Sequence, residues 1–135
     1  MNVRLLGILQ WIGLLLGAGV WLSQHYVGYG VAEAACGVGS MRWGISNTVW
    51  QAALMGCALA LVLGAEACAV AVFRETRGAD FGDGPPEEDT RFHGALPYSR
   101  IHFFATGAMV ANLLFAIIIV LDGTATIVNQ ACLGS

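Results

Sequence analysis

Charge is spread along this chain in a way that leaves few architectures open. Ten of the fifteen charged residues fall between Arg74 and Arg100, and Leu5 to Ala32 is a run of 28 residues without one. Three nearly charge-free stretches remain, each long enough to cross a hydrocarbon layer about 30 Å thick, which takes about 20 residues of helix. With 57% hydrophobic and only 11% charged residues, the chain has about half the charge of an ordinary soluble domain. A water-soluble globule is excluded, and 135 residues leave room for three spans, or four at most.

The expected fold is therefore an all-α integral membrane protein with three transmembrane helices in a single membrane domain. The first span runs from about 3 to 26, apolar around its whole circumference. The second runs from about 45 to 73 and is rich in Ala, Gly and Cys, so it offers little bulk and expects close protein neighbours. The third runs from about 101 to 121, where Ile117, Ile118, Ile119 and Val120 make the most lipid-like sequence in the chain. The first segment is too long for the apolar core of a secretory signal. It reads as a retained span, although Ala32-Glu33-Ala34 and Ala34-Ala35-Cys36 resemble small-residue cleavage sites.

Arginine placement predicts orientation, because Lys and Arg near span ends resist translocation. Arg4, Arg74, Arg77, Arg91 and Arg100 fall on one side and Arg42 on the other. The amino terminus and the acidic loop 74–100 are then cytoplasmic, and the loop 27–44 and the tail 122–135 face outward. In bacteria this describes a multi-pass protein of the inner membrane. Trp21, Tyr26, Tyr29, Trp43 and Trp50 gather near the outer boundary, where amphipathic rings are favoured, so Trp21, Trp43, Trp50 and Arg100 read as interface anchors. The acidic loop, with Gly82, Gly84, Pro85 and Pro86 at its centre, cannot build a core. It reads as a solvated linker or as a strap whose Asp80, Asp83, Glu87, Glu88 and Asp89 meet a basic partner. A net charge of −3 with no lysine removes nucleic acid as a partner.

Few residues offer chemistry. Cys36 and Cys132 both lie in outward segments and could form a structural disulfide, or remain as two packed thiols. A bridge closing about 97 residues would stabilise by about 4–5 kcal/mol in the chain-entropy model. Cys57 and Cys68 share a helix face but lie roughly 16 Å apart along it, too far to bond, and no Cys-x-x-Cys is present. Glu66 is the single acidic residue within a span, about 12 Å in from Arg74. Such a carboxyl is costly in lipid and is a functional candidate by default, against the plainer reading of a hydrogen-bonded packing residue. Counting a similar depth from Arg4 and Arg100 predicts Gln10 or Thr106 as its partner. Asn112, mid-span, suits an interhelical hydrogen bond. Gly13 and Gly17 form a G-x-x-x-G, and Gly56, Ala60 and Gly64 repeat small residues every four, both patterns that permit close helix approach.

No catalytic group is expected, and no cluster of His, Cys, Asp or Glu stands at metal-ligand spacing. His25, His93 and His102 share no common depth, so no bis-histidine haem is expected within the chain. Haem or quinone would enter only through a partner.

The first block, W-L-S-Q-H-Y-V-G-Y-G-V-A-E-A-A-C, and the third, Y-S-R-I-H-F-F-A-T-G-A-M-V-A-N-L-L-F-A-I-I-I-V-L-D-G, resemble a group of small bacterial membrane proteins encoded beside genes for haem-copper cytochrome c oxidases. The matching positions are Trp21, His25, Gly28, Tyr29 and Cys36, then Arg100, Phe103, Phe104, Ala105, Gly107, Asn112, Leu114, Phe115 and Cys132. Ala131 stands before Cys132 where that group often has proline. The resemblance covers about half the chain, and in the second span only hydrophobicity matches. What it implies is a non-catalytic accessory or structural subunit, or an assembly companion, of an inner-membrane respiratory electron-transfer complex, above all a haem-copper terminal oxidase, with other membrane subunits as partners. Two rival readings stand beside it: a quinone- or haem-binding membrane anchor, and a small ion- or proton-translocating protein working through Glu66 and Asn112.

Overall fold

The computed structural model describes residues 3–36, 46–77 and 92–128. They form three α-helices: α1 (Val3–Cys36), α2 (Asn47–Thr76) and α3 (Phe92–Val128). Each contains a stretch long and apolar enough to cross a membrane, so the chain is an all-α, multi-pass membrane protein. Ser46 starts α2, its backbone extended and its Oγ accepting the Val49 amide at 3.3 Å, which satisfies one of the orphan donors of the first turn.

The helices outrun the spans read from the sequence at four of their six ends. At 1.5 Å per residue the 34 residues of α1 reach about 51 Å, well beyond the hydrocarbon layer. α1 takes in ten residues assigned to the outer loop, α3 takes in nine residues of the acidic loop, and its far end enters the tail. The physical reason is that charges and interfacial aromatics mark where lipid stops, whereas a helix satisfies its own backbone and continues into water.

Register fixes the helix directions. Asn112 lies opposite Glu66, His102 opposite Thr76 and Gly123 opposite Met55, so α2 and α3 run antiparallel. Gly13 meets Ala69 and Gly28 meets Gln51, which makes α1 and α2 antiparallel too. α1 and α3 run parallel, since Gly13 pairs with Asn112 and His25 with Asp122.

α2 turns one well-defined face inward. Its buried residues are Gln51, Ala58, Val62, Ala65, Ala69, Val72 and Thr76. From Ala58 onward their spacing alternates four and three, the seam of a left-handed helix pair. Alanine at three of those positions lets the neighbours approach closely.

The apolar core is split in two. Leu6, Val72, Ile101 and Ala105 cluster toward one end, and Val20, Ala58, Val62 and Ile119 toward the other. Between them lies a layer holding Gly13, Gly17, Glu66, Ala69 and Asn112.

Candidate functional site

This middle layer is the candidate site. A β-carbon on Gly13 would stand 3.2 Å from the Ala69 nitrogen and 3.3 Å from its α-carbon, so α1 and α2 touch there backbone to backbone. One turn on, Gly17 leaves room for Asn112 Oδ1 and the Phe115 ring. The G-x-x-x-G thus serves two interfaces, Gly13 toward α2 and Gly17 toward α3. Asn112 is 1% exposed and its Nδ2 donates to the Gly13 carbonyl at 2.9 Å. A helical carbonyl keeps a second lone pair for this purpose, and the missing side chain at Gly13 opens the approach to it. Glu66 on α2 lines the same groove as Asn112 on α3, so the layer involves all three helices.

The polar residue that lines a groove together with Glu66 is Asn112, where the sequence expectation was Gln10 or Thr106. Thr106 is exposed and donates at 3.0 Å to the His102 carbonyl of its own helix. Gln10 is buried, but nearer the end of the bundle that holds Leu6 and Val72. Depth counting failed because it assumed that Arg4, Arg74 and Arg100 share one plane. With Glu66 opposite Asn112, Arg74 falls level with Phe104, about 6 Å further along α3 than Arg100.

The second small-residue pattern is not used within the bundle. Gly56, Ala60 and Gly64 are exposed on α2, and nothing lies within 4 Å of a β-carbon built on either glycine. They occupy the flank away from the seam and pack against neither α1 nor α3. Trp21 is more than an interface anchor, since its ring stacks on Phe115 with centroids 5.9 Å apart. Trp50 is partly buried and Arg100 is exposed. Trp43, Cys132 and the Cys36 side chain lie outside the described residues, and with them the disulfide. Cys57 and Cys68 are free thiols.

Three further polar contacts were not singled out in the sequence. Gln51, 3% exposed, donates from Nε2 to the Gly28 carbonyl at 2.8 Å, repeating between α2 and α1 the amide-to-glycine bond of Asn112. Thr76 Oγ1 lies 2.9 Å from His102 Nδ1, and that imidazole stacks on Phe73 at 4.6 Å. His25 Nδ1 lies 3.3 Å from an Asp122 carboxylate oxygen near the opposite end. An amide inside a largely apolar span was the available signal for Gln51. Gln51→Leu is expected to lower bundle stability by about 1 kcal/mol, in the range of intramembrane hydrogen bonds, read as a shifted midpoint when a denaturing detergent is titrated into folded protein.

Among the described residues no group of three or more His, Cys, Asp or Glu is placed to hold a metal ion. What the layer offers is a carboxyl and a buried amide between apolar helices, both able to exchange hydrogen bonds. No protein-family model matches the chain, and no curated protein or solved structure matches it either.

Proposed function

We propose that the chain is a non-catalytic accessory or structural subunit of an inner-membrane respiratory electron-transfer complex, a haem-copper terminal oxidase being the favoured one. The observation that carries this reading is the outward stripe of Gly56, Ala60 and Gly64. Small residues give lipid chains little to pack against, while they let a second helix approach closely. A stripe facing away from both neighbouring helices thus suits a helix from another subunit. The likeness of the first and third blocks to proteins encoded beside oxidase genes supplies the identity of that partner. In this reading the arginine-rich ends face the cytoplasm, the acidic segment meets other subunits there, and Cys36 bridges to Cys132 outside.

Any haem belongs to the partner. His25 and His102 stand at opposite ends of the bundle, turned to Asp122 and Thr76, so these two imidazoles do not face one iron.

The test is a mild-detergent pull-down of the tagged full chain from its own membranes, with an absorption spectrum and mass analysis of the eluate. Haem absorption together with oxidase subunits is the expected result. A chain recovered alone and colourless overturns the proposal.

A further inference from the structure

α1 and α2 meet closely at two levels, Gly13 against Ala69 and Gly28 against Gln51, and between those levels they part to leave a groove of about 370 Å³. Small residues are the cause. Gly19 and Ser23 on α1, with Cys57 and Ala58 on α2, line the seam without filling it. A β-carbon built on Gly19 meets nothing within 4 Å, and Gly19, Ser23 and Cys57 are exposed, so the groove opens along its length to the lipid around the bundle. Ser23 Oγ donates to the Gly19 carbonyl at 2.8 Å, and Gln24 turns its Nε2 to the Ile119 carbonyl of α3 at 3.5 Å. The thiol of Cys57 packs as a small hydrophobe.

Such a groove stays neither wet nor empty. The hydrocarbon layer holds no water, and a void forfeits the dispersion contacts of every atom that lines it. Along α1 the groove extends from Leu16, beside the middle layer, to Val27, about 16 Å, which is half of a hydrocarbon layer about 30 Å thick. Spread over that length, its volume leaves a cross-section of roughly 20 Å², whereas a helix 10–12 Å across needs about 80 Å² or more. We infer that the groove is a binding site for one unbranched acyl chain of a phospholipid, drawn from the half of the bilayer that carries Trp21 and held while the surrounding lipid exchanges. A chain lying there has α1 on one side and α2 on the other, so it gains dispersion contacts that lipid against a single convex helix does not make. An alkyl chain needs no hydrogen-bond partner, in keeping with walls whose hydroxyl and amide donors are already engaged.

Native mass spectrometry of the full-length chain, stripped of lipid in detergent and then given palmitoyl-oleoyl phosphatidylethanolamine, reads the site. One lipid per chain is expected to persist under activation that removes the rest. Diphytanoyl phosphatidylethanolamine has the same headgroup but methyl-branched chains too wide for the groove, and it is expected to bind at least tenfold more weakly. Gly19→Phe places its ring in the open space of the groove, clear of the helix contacts, and is expected to weaken the unbranched lipid at least tenfold while circular dichroism shows an intact bundle. If that variant does not fold, Cys57→Phe fills the same groove from α2 and must give the same loss. No retained lipid, equal retention of the two lipids, or undiminished retention by the filled variant overturns the inference. So does a dimer of the chain that Gly19→Phe disperses, because the groove would then belong to a second copy. Because the chain is assayed alone, this result is independent of the pull-down.

Discussion

Gly13→Ile is expected to destabilise the bundle by about 2–4 kcal/mol, while Gly64→Ile, on the same scale, changes it by less than about 0.5 kcal/mol. At Gly13 the new side chain meets the backbone of Ala69, which cannot rotate out of the way, so α1 and α2 must separate. Overpacking of this kind costs about 1–3 kcal/mol. The displaced Gly13 carbonyl also loses its bond from Asn112, worth on average about 0.6 kcal/mol and up to about 1.7. At Gly64 a β-carbon meets nothing within 4 Å, so the substitution behaves like an ordinary surface change. Titrating a denaturing detergent into folded protein, followed by circular dichroism, measures both variants. Equal shifts for the two would mean that the α1–α2 contact does not pass through Gly13.

Asn112→Leu is the second large effect, expected at about 2–3 kcal/mol. The substitution removes the bond to Gly13 and the polar neighbour of Glu66, leaving a carboxyl among apolar walls. A charged group near the bilayer centre costs about 2.5–3.5 kcal/mol on insertion scales, and part of that falls on the variant. The double variant Asn112→Leu/Glu66→Leu should therefore be more stable than Asn112→Leu alone, because the orphaned carboxyl is gone. The expected coupling between the two positions exceeds about 1 kcal/mol, beyond the few tenths typical of independent sites. Additive losses would show that Glu66 and Asn112 do not act as one unit.

The middle layer also explains what a polar layer contributes to a fold of this kind. The two apolar clusters on either side are built from aliphatic side chains that lipid solvates almost as well as protein does, so they specify register weakly. Asn112, bonded to one particular glycine carbonyl, and Gln51, bonded to another, are satisfied in a single axial alignment. Sliding α3 by one turn would break the Asn112 bond to the Gly13 carbonyl. The polar residues are thus the elements of the bundle that select one arrangement among several of similar packing quality.

By itself the sequence determined the solvent, the helix count and the short list of residues that matter. Long uncharged runs have no stable state in water, and a backbone in lipid must bond to itself, so three helices follow from the charge pattern alone. Glu66 and Asn112 stood out because a polar group in a span is conspicuous, and Gly13 and Gly17 because their spacing is that of one helix face. Only the tertiary structure decided which of these residues meet. Small residues occur all around α2, so the sequence could not separate the buried Ala58, Ala65 and Ala69 from the exposed Gly56, Ala60 and Gly64. That Glu66 and Asn112 line one groove depended on an axial offset of about one turn between α2 and α3. That offset is set by how the two helices interlock, and no spacing along a single helix encodes it.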